Sequence, residues 1–194
     1  MKKTLTIALL MAFLVPLSVQ AKEYSFDVNG KYVNITFESN MAVEDIVGTT
    51  NTVTGSFNWI SEEKGSFELK VPVATLKTGI EMRDDHLKSE GWLNEKKNPY
   101  IVFKGDKIKK IGETSYELTG SFDLAGKSVE KTISVDIREV PQSLVGNLGG
   151  GSWIRVRGEF AVKLSDHGVK IPDMAAAKVN DTWKVKISLF AKGK

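Results

Sequence analysis

The chain of 194 residues contains no cysteine, only two histidines and nearly balanced charges, 27 lysines and arginines against 24 aspartates and glutamates. Each shortage closes off a class of chemistry. Without cysteine there is no disulfide, no thiolate nucleophile and no thiol to acylate as a lipoprotein anchor. His86 and His167 are far apart in sequence, and without thiol partners they make a poor metal site. A formal charge of +3 provides no electrostatic footprint for nucleic acid. The densest basic stretch, Lys104, Lys107, Lys109 and Lys110, is diluted by Asp106 and apolar residues and reads as a solvated strand edge. Stability must come from core packing, which a domain of this length can supply.

Long apolar runs are equally scarce. The run from Leu5 to Leu17 is too short to span a bilayer comfortably, and Pro16 interrupts its end. Lys2 and Lys3 precede it, and Ser18-Val19-Gln20-Ala21 follows with small or apolar residues at Val19 and Ala21. That order is a cleavable secretory signal over residues 1–21, cut after Ala21, and it predicts a periplasmic product. Cleavage removes two lysines and brings the formal charge from +3 to +1.

From residue 22 to 194 the chain alternates apolar and polar residues almost throughout, the period of half-buried β-strands in a single domain. Tyr24, Phe26 and Val28 lead to Asn29-Gly30, a tight-hairpin signal, and Val33, Ile35 and Phe37 resume the alternation. Further strands are expected around Phe57, Leu69-Val71, Ile101-Phe103, Leu118-Phe122, Ile133-Ile137, Ile154-Leu164 and Trp183-Leu189. About eight or nine strands with short connections fit an antiparallel sandwich or an up-and-down barrel. Gly55, Gly120 and Gly158, each inside a strand pattern, are candidate bulges or bends of the kind barrel closure requires, or plain packing accommodations.

One stretch breaks the alternation. Residues 80–91, between Thr78-Gly79 and a stop at Gly91, have helical spacing. Ile80, Leu87, Trp92 and Leu93 are expected to point inward across a barrel opening, with Arg83 and His86 at the rim. Asp84 and Lys88 are expected to form an exposed i, i+4 pair. Arg83 has a second reading, an ion pair with Asp84 or Asp85 that pins the helix. His86 has two alternatives, satisfying a buried carbonyl or acting as a general base oriented by Asp84 or Asp85. No serine or cysteine nucleophile accompanies it at a recognisable spacing. His167 in Ser165-Asp166-His167-Gly168 reads as a turn former, and Gly149-Gly150-Gly151 lacks the lysine of a phosphate loop.

Arg83-Asp84-x-His86-Leu87-x-Ser89, then Leu93-Asn94, Pro99 and Phe103, closely resembles the hallmark of the YceI-like family. Leu118-Thr119-Gly120-Ser121-Phe122, Val53-Thr54-Gly55-Ser56-Phe57 and Phe160 to Val169 are similar to other family stretches, so the resemblance spans residues 22–194. It implies an all-β, eight-stranded, antiparallel lipocalin-like barrel with a short helical segment. It also implies an exported protein that sequesters or carries an isoprenoid or similar long-chain amphiphile, without cofactor, metal or enzymatic activity, and it leaves a homodimer open. Phe37, Phe57, Leu69, Val71, Leu87, Trp92 and Phe103 are then the expected cavity wall, and Arg83 and His86 the expected head-group contacts. Where family members often carry a histidine near the end of the second strand, this chain has Ser39. The competing reading is a stress-protective protein with an incidental cavity.

Overall fold

The computed structural model describes residues 21–28 and 30–194, so all of the expected signal segment but Ala21, and Asn29, lie outside the described residues. Ten strands are present among the described residues. They are β1 (Lys22–Ser25), β2 (Val33–Asn40), β3 (Asp45–Thr50), β4 (Thr54–Ser61), β5 (Lys64–Pro72), β6 (Tyr100–Lys110), β7 (Ser115–Leu124), β8 (Lys127–Glu139), β9 (Trp153–Lys163) and β10 (Thr182–Gly193). All pairings between strands are antiparallel. The order β1-β4-β5-β6-β7-β8-β9-β10 returns to β1, which makes a closed eight-stranded barrel.

The closure is divided along β10. Its last residues pair with β1, Gly193 against Tyr24, while Lys184 to Leu189 pair with β2. β3 continues the sheet from β2 and is tied to the chain after β5 by the Thr49 and Lys77 backbones (N–H···O 2.7 and 3.0 Å). The expected hairpin across Asn29-Gly30 therefore does not form. β1 pairs with β4 and β10, and Gly30–Tyr32 is one turn of 3-10 helix. Alternation shows that two segments are strands but not which neighbours they meet, and here pairing remote in sequence prevails.

β3 carries too few large apolar residues to announce itself. Its inward positions are Ile46, Gly48 and Thr50. Gly48 has no side chain because the Phe37 ring occupies that space, where a Cβ would overlap it. The strand glycines act differently from one another. Gly55 has φ +129° and sits against the Glu68 carbonyl. Gly120 faces the register shift of β6 between Lys104 and Lys107, where a Cβ would overlap the Lys104 carbonyl oxygen. The bulge in β6 opposite Gly120 is the kind of irregularity that lets a sheet curve toward closure.

Inward side chains from every strand of the ring, joined by β2, make one apolar core. Phe67, Phe103, Phe122 and Phe160 form a band across β5, β6, β7 and β9, with successive ring centroids 4.8, 6.1 and 6.1 Å apart. A smaller cluster lies outside the barrel. Residues 141–151, which include a short helix α2 (Gln142–Val145), fold back so that Trp153 donates its indole N–H to the Gly150 carbonyl (2.9 Å) and packs against Tyr32. Gly149, Gly150 and Gly151 all have φ between +75° and +88°, so the triplet is a shaped turn.

Candidate functional site

The barrel encloses a cavity of about 160 Å³ with an almost entirely carbon wall. Alternation in the strands creates it: Phe37, Phe57, Leu69, Val71 and Phe103 reach it from β2, β4, β5 and β6. Leu87, Trp92 and Leu93 meet them from the helical segment. The seven expected wall residues thus border one space. Phe26, Phe122, Phe160 and Trp183 also border it, although the sequence reading did not single them out as site residues. Their parity carried the signal; only the arrangement of strands shows which apolar positions meet at a void instead of filling it.

The helix, α1 (Glu81–Lys88), is shorter than expected, with Ser89 at its C-terminal boundary. The chain then turns tightly, with Trp92 and Asn94 amides donating to the Ser89 carbonyl (3.1 and 2.9 Å) and Leu93 to that of Leu87 (3.2 Å). Asn94 takes φ +51°, a left-handed conformation asparagine tolerates. This turn brings Trp92 and Leu93 beneath the helix and onto the cavity.

Polar contacts hold α1 in place, and several expectations about it are corrected. Ile80 is 53 % exposed and does not point inward. Asp84 does not face water with Lys88: it is the buried residue of the helix, and its Oδ1 accepts from the Thr78 backbone N–H and hydroxyl, both at 2.6 Å. Burial pushes the Asp84 carboxyl up, but the Thr78 hydrogen bonds, with Lys88 and Lys77 nearby, outweigh it and hold the group below the usual carboxylate range. Arg83 pairs with Glu44 (Nη1···Oε1 2.7 Å), in place of Asp84 or Asp85, and donates to the Thr78 hydroxyl (2.9 Å) and carbonyl (3.1 Å). Glu44 lies just before β3, so the network Glu44-Arg83-Thr78-Asp84 fastens the helix to the β2–β3 turn. The position of α1 was legible as a helix in sequence; Glu44 as its anchor was not, because the two are brought together only by the fold.

Neither Arg83 nor His86 borders the cavity. His86 is exposed, and its carbonyl accepts from Ser89. Asp84 is committed to Thr78, so it does not orient the His86 ring. His167, in contrast, is 4 % exposed and donates from Nδ1 to the Lys127 carbonyl (2.9 Å), with its ring 5.5 Å from Phe122. It therefore does more than form a turn: it ties the β9–β10 connection to the start of β8. Ser39 is fully buried and accepts from the Asn180 amide (2.8 Å). Among the described residues no cluster of histidine and acidic side chains is arranged to hold a metal ion, and no helix is long and apolar enough to cross a membrane. Among the described residues, the buried indole N–H of Trp183, a wall side chain that is 7 % exposed, has no hydrogen-bond partner.

Comparison with known proteins accords with this architecture. A UPF0312 protein of Shewanella sp. strain MR-7 is 28 % identical over 197 residues, covering 100 % of this chain and 98 % of its own. A UPF0312 protein of Pseudomonas aeruginosa strain PAO1 is 29 % identical over 175 residues, covering 88 % of this chain and 89 % of its own. The crystal structure of Burkholderia cenocepacia BcnA superposes with a TM-score of 0.73 at 20 % identity, covering 86 % of this chain and 100 % of its own. A polyisoprenoid binding domain from Saccharophagus degradans superposes with a TM-score of 0.61 at 12 % identity, covering 90 % and 100 %. The family model for the YceI-like domain matches residues 24–191, and the chain belongs to the YceI-like family.

Proposed function

We propose that this protein is an exported lipid-binding barrel that sequesters or carries an isoprenoid or similar long-chain amphiphile, with no catalytic role. One observation carries the reading: a closed barrel whose strands and lid contribute apolar side chains to a single interior void. Such a wall binds by removing hydrocarbon from water, at about 25 cal/mol per Å² buried, and it discriminates little along the chain. The polyisoprenoid binding domain with the same fold supports the ligand class. The leader-like residues 1–21 support export to the periplasm.

Loading requires the interior to expand. An apolar cavity of about 150 Å³ accommodates a benzene-sized guest, so the 160 Å³ here takes only a fragment of a long chain. The lid is built to allow the expansion. α1 buries Asp84 and no apolar residue fully, so lifting it breaks a few polar contacts and leaves the barrel ladder paired. The same small volume favours the second reading, a stress-protective protein whose cavity is incidental, because ligand pockets usually run to about 300–1,000 Å³.

Native mass spectrometry of the protein purified from its own cell envelope separates the two. The expected result is a co-purifying long-chain lipid that is absent from Phe57→Arg, since Phe57 is 2 % exposed and borders the void. A reproducibly empty protein that also fails to take up geranylgeraniol would defeat the carrier reading.

A further inference from the structure

The solvent side of the wall carries an unbalanced cluster of charge. Val135 on β8 and Val156 on β9 border the cavity, so the alternate positions Asp136, Arg138, Arg155 and Arg157 point outward. The register sets Arg155 directly opposite Arg138, and Arg157 directly opposite Asp136. On the other side, β10 sets Phe190 against Arg155 and Ser188 against Arg157. Arg155 and Arg157 stand on one face, roughly 7 Å apart along the strand. Three guanidinium groups thus share one patch of sheet, although like charges directly opposite each other destabilise a ladder.

The neighbouring carboxylates do not neutralise it. Asp136 is spent on Arg138, accepting from Nε (2.7 Å) and Nη2 (3.1 Å), and Thr114 donates to it as well. Glu159 pairs with Lys184 (3.0 Å), and Lys186 with Glu38 (3.1 Å). Arg157 is exposed and attracts Asp136 through space, but among the described residues it makes no hydrogen bond or salt bridge. Arg155 is half-buried. Its Nη2 donates to the Ser188 hydroxyl oxygen (3.0 Å), its guanidinium lies 5.1 Å from the Phe190 ring centroid, and its Nε is buried with no acceptor. Burial, and after it the charge of Arg157, press Arg155 below the ordinary arginine range. An outer groove lined by Arg157, Ser188, Ser134 and Ser115 gives access to the two arginines.

We infer that Arg155, Arg157 and the Ser188 hydroxyl bind a phosphate group on the outer face of β9 and β10, at a site separate from the interior cavity. A phosphate supplies what the patch lacks, a negative charge able to accept from two guanidinium groups at once. The planar fork of each arginine presents paired donors that match phosphate oxygens. Ser188 accepts from Arg155 through its oxygen, so its own O–H is left to donate to the anion. Three donor groups around one point suit the several oxygens of a phosphate better than the two of a carboxylate. The phosphate is either free in solution or the head group of a lipid in a membrane surface against which this face lies. The site does not depend on what the cavity holds.

The test uses the mature chain and two probes. Inorganic phosphate is titrated by calorimetry at pH 7 and low salt, and vesicles of phosphatidylglycerol or of phosphatidylcholine are followed by co-sedimentation. Wild type should bind phosphate saturably at a single site, sediment with phosphatidylglycerol in preference to phosphatidylcholine, or both. The probe that responds identifies the source of the phosphate. Arg157→Gln, at an exposed position, should weaken that binding by at least about tenfold without a change in melting temperature. Arg157→Lys should recover only part of it, because an ammonium lacks the fork. Arg138→Gln should also weaken binding, because it frees Asp136 to engage Arg157 opposite. Lys109→Gln, an exposed lysine on β6, should leave the affinity within about twofold of wild type. Binding that survives Arg157→Gln within about twofold, or that falls equally in Lys109→Gln, overturns the assignment. So does a wild type that binds neither probe, whatever lipid the cavity is found to hold.

Discussion

Asp84 allows a quantitative test of how the lid is held. Its Oδ1 accepts two hydrogen bonds from Thr78, and hydrogen bonds to charged groups are worth about 1.5–3 kcal/mol each. Thr78 is only half-buried, so water recovers part of the loss and the lower end of the range applies. Asp84→Ala should therefore weaken the lid by about 3 kcal/mol, or roughly a hundredfold in the local opening equilibrium. The readout is amide hydrogen exchange at pH 7 for Asp84, Trp92 and Leu93, whose N–H groups bond to Ile80, Ser89 and Leu87. Their exchange should accelerate by about that factor, while amides of β7 and β9 stay unchanged. The carboxyl sits below its ordinary range in the folded protein, so its contribution is complete above the unfolded value near 3.8 and is lost as pH falls through the depressed folded value. Acid should thus loosen the wild-type lid, whereas the alanine variant has nothing at this position left to lose. Equal protection in the two proteins at pH 7 would refute the view that this contact holds α1.

Two further outcomes follow from the same geometry. Arg83→Gln breaks the half-buried pair with Glu44 and should cost about 1–2 kcal/mol, read as faster exchange in the β2–β3 turn; because Arg83 does not border the cavity, head-group preference should not change. Gly120→Ala forces a Cβ onto the Lys104 carbonyl and should cost at least about 2–3 kcal/mol, a fall in Tm of roughly 4–12 °C by calorimetry; a melting temperature within 1 °C of wild type would mean that β6 relaxes freely at its bulge.

Much of this molecule was open to reading because period-two patterning needs only local chemistry. Wherever one face of a strand is buried, apolar residues must recur at every second position, so the strands carrying Phe37, Phe57, Leu69, Phe103, Leu118, Ile133 and Trp183 were legible one by one. The helix at Arg83 was legible for the same reason, and its spelling pointed to the family. β3 was not, because Gly48 is occupied by a ring from another strand and leaves no apolar mark of its own. Nor was the exposure of Ile80 or the burial of Asp84, since spacing along a short helix cannot say which side meets the barrel.

What the sequence determined by itself was the class of object, a predominantly β chain interrupted by one short helix, since that depends on composition and local period. Only the tertiary structure decided which edges meet. It closes the ring through β1 and β10, commits Arg83 to a glutamate 39 positions away, and ends the β8–β9 ladder at Val135 and Gly158. The reason is physical: strand pairing and ion pairing act through space between residues remote along the chain, and no local pattern records the partner.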